Sequence, residues 1–320
     1  MHTNNALADH DLFGNALLPD AGCILKERFI IPPFSVLNAR EGDWQERKRR
    51  WISLGIKGER GREDGECFNT DDWFSKNGLT GAEKGNISIF DPVLCELMYK
   101  WFAPPSGKIL DPFCGGSVRG IVASVMGYKY TGLDLRAEQI AENEKQAEEI
   151  YGEHKPRYVC GNAESVKALA YDNYDFVFSC PPYGNLEVYS DDPRDLSTMP
   201  HDKFLESYRA IIKDSCDMLE NDRFACFVVG DFRDKAGNYR NFISDTIQAF
   251  LDAGLKLYNH GILVTCVGSL PIRVTRQFES GRKLGNTHQN ILVFVKGDGK
   301  KATQYMTTET PKAEQLEAAV

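Results

Sequence analysis

The chain has 320 residues, a formal net charge of −8 and a hydrophobic content of 42%, values that are ordinary for a soluble globular protein. No apolar run approaches the ~20 residues of a membrane span, and the N-terminus lacks the basic start and apolar centre of a signal peptide. The nine cysteines include no CxxC pair, which argues against a disulfide framework or a zinc site. We therefore expect a cytoplasmic protein that holds no metal.

The basic residues concentrate in two segments, although the chain is acidic overall. A charge run is usually a solvated face, but clustered basic residues are also typical of a surface that contacts nucleic-acid phosphates. The tryptophan spacing around the first cluster predicts an amphipathic helix. The candidate phosphate contacts are Arg47, Lys48, Arg49, Arg50, Arg273, Arg276, Arg282 and Lys283.

From residue 86 the pattern alternates between helix and strand. Asp91 and Pro92 suit the N-cap and first position of a helix that ends before Pro104. Strands are predicted at 108–113, 129–135, 157–163, 174–183, 224–232, 256–265 and 289–297, and further helices at 117–127, 137–152, 202–219 and 241–254. This alternation predicts an α/β sheet, mostly parallel with an antiparallel hairpin at its end and with helices on both faces.

The same pattern divides the chain into three segments. Residues 1–85 are expected to form an N-terminal extension, with a candidate nucleic-acid-contacting module and a glycine-rich linker. Residues 86–298 carry the α/β domain, and residues 299–320 form a polar C-terminal tail.

A glycine turn follows the first strand of this domain, in the order Asp111-Pro112-Phe113-Cys114-Gly115-Gly116. Glycines let the backbone approach a ligand, and the N-terminus of the following helix favours an anion. The next strand ends in Asp134, which suits two ribose hydroxyls. Neither GxGxxG nor a P-loop is present. The layout therefore predicts a nucleotide-type ligand, with a tight turn that binds nothing as the alternative.

Two motifs resemble those of S-adenosylmethionine-dependent DNA amino-methyltransferases. DPFCGGS, at residues 111–117, is similar to the DPF glycine loop of that family. The sequence at 180–183, Cys-Pro-Pro-Tyr, stands where the family has Asp, Asn or Ser followed by Pro-Pro and an aromatic residue. The resemblance covers residues 86–298 and implies a Rossmann-like methyltransferase sheet. The segment from PPFSVL to WQERKRRW is also similar to the start of methylases from phages and prophages.

The resemblance implies S-adenosylmethionine as the cofactor. Carried over by position, the glycine loop would line the methionine moiety, Asp134 would hold the ribose, and Asn162 stands where the family has an acid that contacts the adenine amine. The cofactor-binding residues that it implies are Asp91, Asp111, Phe113, Gly115, Gly116, Asp134, Asn162 and Ala163.

The second motif suits methyl transfer to the exocyclic amine of a flipped-out base. Two prolines restrict φ and carry no N–H donor, so the carbonyl of Pro181, with Pro182 behind it, is a rigid acceptor for that amine. Tyr183 offers an aromatic plane on which the base stacks. Cys180 is a weaker acceptor than the residues usual in the family, and Ser179 is a candidate second acceptor. An uncharged small residue at 180 slightly favours cytosine N4 over adenine N6.

Other interpretations stay open. Cys180 could act as a thiolate that attacks C6 of a pyrimidine for transfer to C5, or it could be structural in an enzyme with another substrate. A non-catalytic nucleic-acid-binding protein on a methyltransferase fold is the competing class. DNA is expected as the partner from the resemblance and from the two basic segments. Because little chain remains for reading bases, we expect a short target site or a homodimer.

Overall fold

In the computed structural model, the structure describes residues 25–26, 28–56, 90–150, 152, 154–184, 189–265, 267 and 270–306. The strands are β1 (Val36–Asn38), β2 (Lys108–Asp111), β3 (Lys129–Asp134), β4 (Arg157–Cys160), β5 (Tyr174–Ser179), β6 (Leu219–Val229), β7 (Lys256–Val264) and β8 (His288–Lys296). The helices that we number are α1 (Asp43–Ser53), α2 (Pro92–Phe102), α3 (Val118–Val125), α4 (Ala137–Glu149), α5 (Val166–Ala170), α6 (His201–Asp217), α7 (Phe242–Asp252), α8 (Leu270–Gly281) and α9 (Gly299–Thr303).

The strands form one sheet in the order β1-β7-β8-β6-β5-β2-β3-β4. Strand β8 runs antiparallel to β6 and β7, while the other neighbouring strands pair in parallel. The predicted mostly parallel sheet with a late antiparallel hairpin is therefore confirmed. Chain order reverses between β2 and β5, and in open α/β sheets ligands bind beyond the carboxyl ends of the strands at such a point.

Apolar side chains cover both faces of the sheet. Along β5, Phe176 and Phe178 belong to one buried cluster and Val177 to the other, as the period of two in a strand requires. Helices α2 and α3 contribute to the first cluster, and α6 and α7 to the second. Helices therefore lie on both faces, as the sequence predicts.

Several elements differ from the sequence prediction, among them two strands and one helix. Strand β6 begins at Leu219 rather than at residue 224, and β5 ends at Ser179 because the prolines that follow have no N–H for the ladder. Helix α8 forms in the second basic segment, where no helix is predicted. Its apolar residues Leu270, Val274 and Phe278 recur every four residues, a helical spacing that the sequence prediction overlooked.

Both predicted outer segments belong to the same fold as the α/β domain. Strand β1, within the N-terminal extension, pairs in parallel with β7. Helix α9, within the predicted tail, begins at the N-cap Asp298 and buries Ala302. The predicted boundary at 85/86 lies outside the described residues, as does the tail beyond residue 306. Among the described helices, none combines the length and the apolar character that crossing a membrane would require.

Helix α1 docks on α2 through two carboxylates. Asp91 accepts hydrogen bonds from the Trp44 indole at 3.2 Å and from Lys48 Nζ at 3.1 Å. One turn further along each helix, the buried carboxylate of Glu96 accepts from the Trp51 indole at 2.8 Å and forms an ion pair with the Arg47 guanidinium. Each carboxylate therefore takes one indole and one cation from α1.

We expect Glu96→Ala to destabilise the fold by about 3 kcal/mol, because it leaves the largely buried Arg47 charge and the Trp51 indole without their acceptor. The free energy of unfolding from denaturant titration measures this effect. Glu46→Ala is the matched control, since Glu46 pairs with Arg50 on the exposed side of α1 and its loss should cost less than about 0.5 kcal/mol. Equal losses for the two variants would contradict the docking role of Glu96.

Candidate active site

A cavity of about 950 Å³ opens beyond the carboxyl ends of the strands. Its wall is built from the segments that follow β2, β3, β4, β5 and β6, with α8 and the residues before β8 on one side and the start of α2 on the other. This volume lies within the range of small-molecule and cofactor sites. The location is the one that the reversal of strand order predicts.

Asp111 lies beneath the cavity and is fully buried. Its carboxylate accepts from Arg119 Nε at 2.5 Å, from the Tyr130 hydroxyl at 2.7 Å and from the Ser179 hydroxyl at 2.6 Å. It also accepts from the backbone N–H of Phe113 at 3.2 Å. The prediction that Asp111 lines the cofactor pocket is therefore corrected. These donors surround the carboxylate, so it does not face the cavity. It instead holds the glycine loop from below.

Arg119 is a site residue that the sequence interpretation missed. It lines the cavity and donates to the carbonyls of Phe113 at 2.6 Å and Cys114 at 2.8 Å, while its guanidinium lies 4.5 Å from the Phe90 ring centre. Burial alone would lower the pKa of Arg119, but the Asp111 carboxylate raises it well above its ordinary value. The available signal was a single charged residue within the otherwise apolar helix VRGIVASV.

The glycine loop presents one glycine and one aromatic residue to the cavity. Gly115 has a φ of +48°, a left-handed conformation that favours glycine, and its carbonyl accepts from Asn143 Nδ2 at 2.6 Å. Phe113 and Gly115 line the cavity, as predicted, whereas Gly116 is not among its lining residues. The predicted contact at Gly116 is therefore not supported.

Strands β3 and β4 supply the next part of the wall. Asp134 lines the cavity at the end of β3 and accepts from the Arg136 N–H at 2.9 Å. Asn162 and Ala163 also line it, but Asn162 Oδ1 accepts from the Glu164 N–H at 3.0 Å and caps a short 3₁₀ helix. Asn162 stands where the family has an acid that contacts the adenine amine, and its amide oxygen is already engaged in a local cap.

The segment after β5 brings its four predicted residues into the same cavity: Cys180, Pro181, Pro182 and Tyr183. The Cys180 thiol lies 3.6 Å from the Tyr183 hydroxyl, which also accepts from Gln289 Nε2 at 2.9 Å. Burial raises the pKa of Tyr183 well above its ordinary value, so this phenol stays neutral at physiological pH. Within the described residues, nothing donates a hydrogen bond to the carbonyl of the buried Pro181.

Ser179 is turned away from the cavity. It is fully buried, and its hydroxyl is committed to Asp111. The prediction that Ser179 is a second acceptor for the target amine is therefore corrected. The same hydrogen bond fixes the end of β5 to the carboxylate beneath the glycine loop.

Asp91 and Lys48 form the wall on the side of α1 and α2. Asp91 is the predicted N-cap of α2 and accepts from Val93 N at 3.0 Å and Leu94 N at 3.4 Å. Lys48 was assigned to nucleic-acid phosphates, but it pairs with Asp91 and faces the cavity. Lys48 therefore lies, paired, on the cavity wall rather than free on the outer surface of α1.

The remaining residues of the first basic segment do not form a free phosphate clamp. Arg47 is held inward by Glu96, and Arg50 pairs with Glu46 one turn away on α1. Arg49 is exposed on the same helix. The predicted four-residue contact is thus divided among different surroundings, because helical spacing points its members to different sides.

The second basic segment borders the mouth of the cavity. Gln277 on α8 and Leu284 after it line the cavity, and Arg276, Arg282 and Lys283 are their chain neighbours. Arg276 and Arg282 are exposed, whereas Lys283 is half-buried. The side chain of Arg273 lies outside the described set.

Residues 106–219 match the model of the RNA cap guanine-N2 methyltransferase family. The chain has the fold of an S-adenosylmethionine-dependent methyltransferase. The family that this model describes uses S-adenosylmethionine, the cofactor that the sequence motifs also imply. The matched segment spans β2 to the start of β6, so it includes the glycine loop, Asp134 and residues 180–183, but it leaves the N-terminal segment untested. No curated protein matches the chain.

Several solved structures are similar to the chain. A putative RNA methyltransferase from Pyrococcus horikoshii has 13% identity and a TM-score of 0.46, with 79% of this chain and 100% of that chain covered. Magnesium protoporphyrin IX methyltransferase from Synechocystis PCC 6803, with bound S-adenosylmethionine, has 14% identity, a TM-score of 0.41 and coverages of 78% and 90%. TrmN from Thermus thermophilus has 14% identity, a TM-score of 0.43 and coverages of 70% and 52%, so the chain spans about half the length of TrmN.

The residues of the cavity fit the cofactor. Gly115 leaves room for a close backbone approach, and Asp134 places a carboxylate where a ribose diol would be held. Lys48 and Asp91 offer a cation and an anion, which complement the carboxylate and ammonium of an amino-acid moiety. When bound, the cofactor supplies an electrophilic methyl group on a sulfonium.

We expect the Ser179→Ala variant to keep its rate of methyl transfer within about threefold, because the Ser179 hydroxyl donates to Asp111 and does not contact the methylated amine. The fold should lose about 1–2 kcal/mol, because Asp111 keeps its other donors. Methyltransferase assays and denaturant titration give the two values. A more than about hundredfold loss of turnover, in a protein of unchanged stability, would show that Ser179 accepts a hydrogen bond from the target amine after all.

Proposed function

We propose that the protein transfers a methyl group from S-adenosylmethionine to the exocyclic amine of a nucleic-acid base, with DNA as the polymer. The observation that carries this proposal is the Pro181 carbonyl, for which no described residue is a donor, in the wall that also contains Gly115 and Asp134. A flipped base needs a fixed acceptor for its amine hydrogens, and this carbonyl is one.

The chain acts mainly by positioning. The Pro181 carbonyl accepts one amine hydrogen and directs the nitrogen lone pair toward the methyl carbon. With the cofactor held by Gly115, Asp134, Lys48 and Asp91, its sulfonium would supply the methyl group and its sulfur would keep the electron pair of the broken carbon–sulfur bond, while the amine nitrogen would release one proton to solvent. Carbonyl dipoles facing the amine stabilise the positive charge that develops on its nitrogen.

Tyr183 is the stacking residue in this proposal. Its ring meets Phe242 edge-on at 6.2 Å, and Gln289 holds its hydroxyl. Both contacts fix the orientation of the ring, so the flipped base meets a plane that is already oriented. Because its pKa is raised, Tyr183 remains neutral and adds no charge near the sulfonium.

The DNA assignment is supported by the resemblance of residues 111–117 and 180–183 to DNA amino-methyltransferases, and by exposed Arg276 and Arg282 beside the mouth. A second candidate is the guanine N2 amine of RNA, which the family match over residues 106–219 favours. Both acceptors are exocyclic amines. The geometry of Pro181 and Tyr183 therefore serves either one, and only the polymer and the base differ.

Mass spectrometry of nucleosides tests the proposal directly. The full chain is incubated with deuterated-methyl S-adenosylmethionine and, separately, with mixed-sequence DNA and RNA. We expect N4-methylcytosine or N6-methyladenine from DNA; N2-methylguanosine from RNA would support the second candidate. Label in no nucleoside of either polymer, with cofactor binding intact by calorimetry, would contradict methylation of nucleic acids.

Cys180→Ser separates amine transfer from pyrimidine C5 transfer. For amine transfer we expect turnover to stay within about threefold of the original or to rise, because a hydroxyl accepts hydrogen bonds better than a thiol. For C5 transfer the variant would lose its nucleophile and fall by more than about 10³-fold. Single-turnover assays with tritiated cofactor measure the rate. Cofactor affinity, which both mechanisms leave unchanged, is the internal control.

A further inference from the structure

A second cavity, of about 400 Å³, lies at the amino ends of β2, β3 and β4. The methyltransferase cavity lies at the carboxyl ends of the strands, so the two cavities lie at opposite ends of the strands. The basic and acidic side chains that line it are Lys108, Lys129, His154, Lys155, Arg157 and Asp172. Lysine and arginine therefore outnumber the single carboxylate, although the whole chain has a net charge of −8.

The positive charge is set by the strand register. The neighbouring strands β2, β3 and β4 begin with Lys108, Lys129 and Arg157. Lys108 and Lys129 are direct register partners, and Arg157 pairs with Thr131, two residues along β3 from Lys129. A step of two residues returns to the same face of a strand, so the three cations share one face. Like charges opposite one another on adjacent strands are destabilising, and a bound anion would relieve that repulsion.

Local partners offset only part of this charge. Asp172 holds Lys108 Nζ at 2.7 and 2.9 Å, and Glu148 lies 3.1 Å from Lys155 Nζ. Lys129 is exposed and forms no ion pair with any residue that the structure describes. Its ammonium remains the cation most available to a ligand.

The donors suit an oxyanion with more than one charge. Arg157 donates to the Leu169 carbonyl through Nη2 at 2.8 Å, which fixes the guanidinium at the rim of the cavity. The buried Tyr174 hydroxyl on the cavity wall donates to the Ala170 carbonyl at 3.1 Å, so the donors left for a ligand are the charged groups. A guanidinium together with several ammonium groups is a donor set that phosphate matches well.

We propose that this cavity is a second binding site, specific for a phosphate group. The group belongs either to a free phosphate or polyphosphate compound or to the backbone of a bound nucleic acid, since both present the same oxygens. The site lies apart from the methyltransferase cavity and does not depend on which amine is methylated.

Calorimetric titration of the full chain with pyrophosphate, at constant ionic strength set with chloride, tests the site. Saturating S-adenosylhomocysteine keeps the methyltransferase cavity in one state. We expect Lys129→Glu to weaken pyrophosphate binding by at least about tenfold, because a charge reversal acts at contact distance. Lys256→Glu is the matched control: Lys256 is exposed at the start of β7, on the same edge of the sheet, and the variant should bind like the original protein.

A short single-stranded oligonucleotide is titrated in parallel and identifies the source. If pyrophosphate binds and Lys129→Glu leaves the oligonucleotide affinity unchanged, the ligand is a free phosphate compound. If Lys129→Glu instead weakens binding of the oligonucleotide, the site binds the nucleic-acid backbone. Lys129→Gln, with a thermal midpoint matching the original protein, excludes an effect of the added acid on folding. The proposal is overturned if neither probe binds, or if both bind the Lys129 variants and the original chain equally.

Discussion

The carboxylate of Asp111 is the interaction on which the site depends. It is buried at the end of β2, and it binds a guanidinium, a phenol, a serine hydroxyl and a backbone N–H. These donors come from four different segments of the chain. A buried charge is tolerated only when it is paired and hydrogen-bonded, so the carboxylate holds all four in place. The cofactor loop and the end of β5 therefore share one anchor, and neither can shift independently of the other.

Much of this site could be predicted from the sequence, because its signals are local. The glycine loop, the acid ending β3 and the double proline after β5 each follow a strand, and parallel strands bring their carboxyl ends together. The amino-acid sequence alone does not show in which direction each of these side chains points. The side chains of Asp111 and Ser179, at the ends of β2 and β5, point into the protein and form a hydrogen bond with each other. Cys180, one residue further, lines the cavity. A difference of one position separates an anchor from a wall residue.

Helix α1 illustrates the same limit. Its four consecutive basic residues suggested one patch, but helical geometry sends them to different sides. Lys48 reaches the cavity, Arg47 enters the contact with α2, and Arg50 stays on the surface with Glu46. Helix α8 was missed for a different reason, since its helical spacing of Leu270, Val274 and Phe278 is short and lies within a basic segment. For α1, the partners Asp91 and Glu96, more than 40 residues away, decide where the side chains lie.

The pairing of β1 with β7 has a consequence for how the chain folds. Val36 lies opposite Ile262, so β1, the first strand among the described residues, can form its ladder only after β7 has been synthesised. Contacts so far apart in sequence are slow to make because a long loop must close first. Helix α1, which follows β1 directly, can pack against α2 much earlier, and Lys48 can then pair with Asp91. The cofactor side of the molecule can therefore assemble during synthesis, while the far edge of the sheet is completed only near its end.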